Sequence, residues 1–351
     1  MSGSWCGGFS CVSTSQSDAT VYTVEGAACI GSIARVRAIV AEVLKYKLVS
    51  ASPLKRHSGG TLTVETSGGF WDVDPETFSV SFFEVSRTRQ NVRYVLKFYG
   101  DRKLSSIAWE YAVGVFLGDK GIGPIVHWIS PPLQSPKLGL FGRKEIPGIY
   151  IMSEKVGWSA DVILRQFSES RNYDEKRYLH TIFTISKRWI EKIAQLHSLG
   201  ILHGNVTGEN FVLKLKFDSR GDKNEYLLTN FAQARFVCDD SIHTSYGYRD
   251  DIFGVFKTIS EWISKRELSP KVDIHTEFDL FGNIEEYNPF KWYVMMTPVL
   301  KDYIRQCLSR AMDYIHSIDS GTEPLTFEIL LDAIECARGA VEASTRQQVD
   351  S

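Results

Sequence analysis

The chain has 351 residues, 43% hydrophobic and 23% charged, which suits a folded unit of two lobes sharing one cleft. A formal net charge of -2 gives no electrostatic reason to expect nucleic acid, and no apolar run reaches the about eighteen residues that a membrane span needs. The six cysteines, Cys6, Cys11, Cys29, Cys238, Cys307 and Cys336, contain no CxxC pair, so a zinc site is not expected, while an even count permits disulfides.

Residues 1 to 28 are rich in Ser, Gly and Thr and have little apolar periodicity, so a poorly ordered arm is expected there. The start lacks the basic and apolar regions of a signal peptide, which leaves a cytosolic protein or a chain already trimmed. Residues 29 to 60 read as an extension helix. Ile33, Val36, Val40, Val43, Leu44 and Leu48 recur at helical spacing, with Arg35, Arg37, Lys45 and Lys47 off the stripe. Such a helix either lies weakly on a membrane surface or packs as an extra element on the small lobe.

From 61 to 156 the pattern is that of a small lobe. Strands are expected at Thr61 to Glu65, Thr77 to Val85 and Arg93 to Tyr99, the last carrying Lys97. The connection TSGGFWDVDPE between the first two holds bulky Phe70 and Trp71 and acidic Asp72, Asp74 and Glu76. A helix at Leu104 to Leu117 carries Glu110. Strands at Ile125 to Ser130 and Gly148 to Ser153 flank a loop rich in Pro and Gly and lead into Ser153, Glu154, Lys155 and Val156.

Residues 157 to 343 read as a mainly helical lobe. Trp189, Ile190, Ile193, Leu196 and His197 keep helical spacing up to Gly200, a stop signal. Then comes ILHGNVTGEN, containing His203, Asn205, Thr207 and Asn210, followed by a strand pair split by DSRGDKN and by LLTNFA, containing Asn230 and Phe231. Asn205-Val206-Thr207 is also a glycosylation sequon, but its place between a helix and a strand argues against modification. A helix in YGYRDDIFGVFKTISEWI carries Asp251, an irregular acidic and aromatic insert covers 266 to 298, and helices at Val299 to Met312 and Phe327 to Ala343 close the lobe. Residues 344 to 351 read as a polar tail. Cys307 and Cys336 fall on those two helices and are expected either as a disulfide or as two buried thiols.

These motifs, in this order, resemble the protein kinases, an α+β two-lobed fold with a small antiparallel β lobe, one main small-lobe helix and a large helical lobe. The resemblance covers about 61 to 343 and implies a role for each matched position. Lys97 stands at the ATP lysine and Glu110 at its partner. Met152 or Ser153 takes the gatekeeper position, and Glu154 to Val156 form the hinge. His203 is the motif histidine that packs under the metal loop, Asn210 keeps a metal-ligand Asn, and Phe231 is the central residue of the metal loop. Asp251 is the buried aspartate that ties to the catalytic-loop backbone. Asn205 replaces the catalytic Asp, Asn230 replaces the metal-loop Asp and Thr207 replaces a phosphate-contacting Lys. An amide has neither the charge to hold magnesium nor useful basicity, so no metal, no cofactor and no catalysis are expected.

Other family features are also missing. TSGGFWDVDPE replaces the glycine loop, only 21 positions separate Asn230 from Asp251, and Leu325 stands where an Arg would pair with the absent APE glutamate. Within the kinases the chain is similar to the divergent secreted kinases of coccidian parasites, the rhoptry and dense-granule group, in its branch without a glycine loop. Poxvirus kinase-like proteins are the other group in which such losses occur, although those usually keep more of the glycine loop. The coccidian likeness implies a protein exported into the parasitophorous vacuole or cyst wall. There it would act through a protein partner, an active kinase or a wall component, as a scaffold or allosteric pseudokinase. The alternatives are a nucleotide-binding switch without turnover and a weak unconventional kinase using Lys97, Glu110 and Asn210.

Overall fold

In the computed structural model, residues 26–45, 55–56, 62–66, 69–79, 82–87, 90–99, 103–129, 149–169, 174–214, 225–238, 247–264, 298–318 and 326–349 are described. The large lobe forms around α4 (Glu175–His197). Asp174 caps it by accepting from Arg177 N at 3.0 Å, and Leu179, Ile182, Phe183, Trp189, Ile190, Ile193 and Leu196 bury one face. The helix stops at Gly200, whose φ of +70° a side chain would resist. Against α4 pack α3 (Ala160–Ser168), α5 (Tyr248–Ser264) and α7 (Phe327–Val349), with α6 (Pro298–Ser317) packed on α5 and α7. The terminal residues expected as a tail continue α7 as far as Val349.

The small lobe is one antiparallel sheet built from β1 (Lys55–Arg56), β2 (Leu62–Thr66), β3 (Gly69–Ser79), β4 (Phe82–Arg87), β5 (Gln90–Tyr99), β6 (Val126–Ile129) and β7 (Ile149–Glu154). Its order is β1-β2-β3-β4-β5-β7-β6. This corrects the sequence reading twice. The stretch GFWDVDPETFS is strand β3, paired with β2 and β4, and does not form a linker. The expected strand Thr77 to Val85 is two strands that meet with Ser79 opposite Phe82. In sequence, β3 and β4 are separated by positions 80 and 81, Val-Ser, which also contain no glycine. Charges in β3 masked its strand character, because strand formation there is decided by pairing on both sides.

One helix of the small lobe, α2 (Leu104–Asp119), buries residues all round its circumference, among them Ile107, Ala108, Ala112, Val113, Phe116 and Leu117. Such a helix must be covered on both sides. The outer cover is α1 (Gly26–Lys45), which lies along it. Ile33, Val36 and Val43 are buried and Val40 is partly buried, so most of the apolar stripe expected to lie on the small lobe or on a membrane is used inside the protein; Leu44 is exposed. The N-terminal end of α1 also reaches the large lobe, where Cys29 forms a disulfide with Cys238. That corrects the Cys307–Cys336 disulfide alternative: both are free thiols, the first buried and the second half-buried, and the Cys336 Sγ lies 3.2 Å from the Tyr303 hydroxyl. No helix among the described residues is long and apolar enough to cross a membrane.

The DSRGDKN hairpin, the 266 to 298 insert apart from its last residue, and Leu325 lie outside the described residues, as do Cys6 and Cys11.

Candidate functional site

Two short ribbons place the central loops. In the large lobe β8 (Ile201–Leu202) pairs with β11 (Arg235–Phe236), and β9 (Phe211–Lys214) pairs with β10 (Glu225–Leu228). The loop 203–210 leaves β8 and enters β9, while 229–234 leaves β10 and enters β11. Pairing the flanking strands brings the two loops together although 19 positions separate Asn210 from Thr229. Thr229 N donates to Asn210 O at 2.9 Å.

Beneath them sits Asp251, fully buried on α5. Its Oδ2 accepts from His203 N at 2.7 Å and from His197 Nε2 at 2.9 Å, and its Oδ1 accepts from Gly204 N at 3.0 Å. A buried carboxylate needs this many donors to offset its lost hydration. His197, the last residue of α4, is a partner the sequence reading passed over. Its position one turn before Gly200 was the available signal.

Gly204 was also passed over. Its φ is +76°, and a Cβ there would lie 2.4 Å from the Gln233 carbonyl oxygen. Only glycine lets the turn after Asn230 settle onto this loop.

His203 is buried, and burial pushes its imidazole below the ordinary histidine range despite the nearby Asp251. The hydrogen bonds fix its tautomer. Asn205 N donates to Nδ1 at 3.3 Å, so Nε2 carries the proton and donates to Thr229 O at 3.1 Å. The ring packs 5.4 Å from that of Phe231. The histidine is thus a neutral spacer between the loops. Asn210 Nδ2 donates to Asn205 O at 2.9 Å, and Thr207 O accepts from Asn210 N at 3.0 Å. Asn205 and Thr207 are half-buried within this turn.

At the centre, Lys97 Nζ lies 2.5 Å from Glu110 Oε1 and donates to Asn230 Oδ1 at 2.9 Å. The lysine and glutamate side chains are only 18% and 8% exposed, so removing either one would leave the other poorly hydrated and without its partner. Asn230 holds φ 66° and ψ 59°, the left-handed region that Asn and Asp tolerate best. A 3-10 turn, Phe231–Gln233, follows, and Trp109 on α2 donates to Ala234 O at 3.0 Å. Helix α2 therefore reaches the segment 230–234 from two successive residues, Glu110 through Lys97 and Trp109 directly.

The register of β5 and β7 separates the two gatekeeper candidates. Leu96 faces Met152 and Val95 faces Ser153, so Ser153 shares the sheet face of Lys97, whereas Met152 is buried on the opposite one. Glu154 exchanges two hydrogen bonds with the backbone of Ile125 and pairs with Lys214 on β9 at 2.6 Å. Lys155 is exposed and Val156 half-buried. Leu213 N donates to Trp158 O at 2.9 Å, so the chain leaving this segment lies along β9.

No family model matches the chain, and no curated protein matches its sequence. Among solved structures it is similar to a BubR1 kinase domain, at a TM-score of 0.57 and 13% identity, over 90% of this chain and 96% of that one. The chain has a protein kinase-like α+β fold.

Proposed function

We propose that the chain is a catalytically inactive pseudokinase that acts by binding a protein partner, as a scaffold or allosteric component. The observation that carries this reading is the Lys97 to Asn230 hydrogen bond at 2.9 Å. The position from which a kinase offers magnesium a carboxylate offers here a neutral amide, and its oxygen already accepts from the lysine. Asn205 supplies no base, and Asn210 spends its amide N–H on the loop itself. These donors do not fit a divalent cation, so no phosphoryl-transfer step is assigned to them. Without Asp at either position, Lys97, Glu110, His203, Asn210, Phe231 and Asp251 serve to hold the lobes and loops together.

The finer reading places the protein outside the parasite cell, in the vacuole or cyst wall, in line with its likeness to the coccidian branch. The Cys29–Cys238 disulfide supports it, because such bonds persist in oxidising compartments. The test has three arms. Phosphate transfer from radiolabelled ATP with magnesium or manganese is expected to be undetectable, and transfer abolished by Lys97→Met would overturn the reading. Thermal denaturation with ATP, with and without metal, is expected to show no shift. A saturable rise in melting temperature without turnover would favour the nucleotide-sensing switch, for which the intact Lys97–Glu110 pair is the argument. Co-purification from the native compartment would identify the partner and its location.

A further inference from the structure

We propose that α1 is a strap, fixed at one end by the Cys29–Cys238 disulfide, that holds α2 in the inward position which the Lys97–Glu110–Asn230 network requires. The inference stands on packing and connectivity and does not depend on the non-catalytic reading.

The strap has a fixed end, a middle and a far end. At its start Cys29 is buried and bonded to Cys238, four positions beyond Ala234, and it presses on Gly200, where a Cβ would lie 2.5 Å from the Cys29 Cβ. Along its middle, Ile33 and Val36 share a core with Ala112, Val113 and Phe116 of α2. Arg35 pairs with Asp119 at 3.0 Å and lies over the Phe116 ring. At its far end Val43 joins Tyr99, Ile107 and Ala108 in the small-lobe core. The inner side of α2 meanwhile carries Trp109 to Ala234 and Glu110 to Lys97.

These contacts close a ring: α1 to α2, α2 to Ala234, Ala234 along the chain to Cys238, and Cys238 back to α1. An outward swing of α2 must therefore displace a helix whose first turn is bonded to the large lobe. Most of the stability of such a helix comes from packing its apolar face rather than from intrinsic propensity. The disulfide keeps it at its site at high effective concentration. Reduction removes that advantage: a dithiol gives two electrons and two protons, becomes a cyclic disulfide, and leaves thiols at Cys29 and Cys238.

Hydrogen–deuterium exchange of the full chain, oxidised and then reduced with dithiothreitol, tests the proposal. On reduction, amides of 104–119 and 231–238 are expected to exchange at least about tenfold faster, while 189–197 and 327–341 keep their protection. Cys238→Ser without reductant should reproduce the pattern, and if that variant does not fold, the reduced wild-type chain carries the comparison alone. Loss of protection confined to 26–45 would show a tether that holds nothing else, and equal loss in every helix would show a general staple. Either result overturns the strap.

Discussion

Asn230 and Lys97, 133 positions apart, meet through a hydrogen bond of 2.9 Å that joins the segment after β10 to the small-lobe sheet. The residue is left-handed, so its amide is aimed by the backbone as well as by the lysine. In this arrangement Lys97 lies against both a carboxylate and an amide oxygen.

Replacing Lys97 by Met is expected to cost about 3 kcal/mol, because Glu110 would lose its partner in a site where it is 8% exposed. Lys97→Met with Glu110→Leu should recover most of that loss, and a double-mutant cycle in urea measures the coupling. Additive losses would mean the pair is not coupled.

Restoring both carboxylates, Asn205→Asp with Asn230→Asp, is expected to leave phosphate transfer undetectable. Thr207 and the Val-Ser connection at positions 80 and 81 are untouched by those changes. Transfer appearing in the double variant alone would show that only the two carboxylates had been lost.

Asp251→Ala should destabilise the fold by about 4 kcal/mol, since the His203 and Gly204 amides and the His197 ring would lose one shared acceptor in a buried site. Asp251→Asn keeps an acceptor oxygen but turns an amide N–H toward a donor, so a smaller loss is expected. Chemical denaturation of the two variants gives the order, and equal values would contradict it.

Stability should fall as pH drops below about 6.5, the ordinary histidine value. Burial lowers the folded-state pKa of His203, so the unfolded chain takes up a proton first, and its contribution, present above that pH, is lost as pH falls through the folded value. Urea midpoints from pH 7.5 to 5 should show a steeper slope for wild type than for His203→Phe. At the other extreme, burial pushes Tyr248 up to about 12, so its contribution is present below its ordinary value of about 10 and lost as pH rises through 12.

Without reductant, alkylation should label Cys336 before buried Cys307 and leave Cys29 and Cys238 unlabelled. Rapid labelling of Cys29 in the native chain would contradict the bond.

The amino-acid order alone carried the segments that resemble kinase motifs, since those depend on residue types at short, fixed spacings. It also placed α4, α5 and the Lys97 strand, whose periodicity is local. Only the tertiary structure decided what distant segments do to one another. It made a strand of Gly69–Ser79 by pairing it on both sides, despite three acidic residues. It chose Cys238 for Cys29 and left Cys307 and Cys336 as thiols. It brought Lys214 to Glu154, and it laid the apolar stripe of α1 against α2. The physical reason is that neighbours in sequence fix φ, ψ and which face is apolar, whereas the partner of a face, a strand edge or a thiol is set by how the whole chain packs.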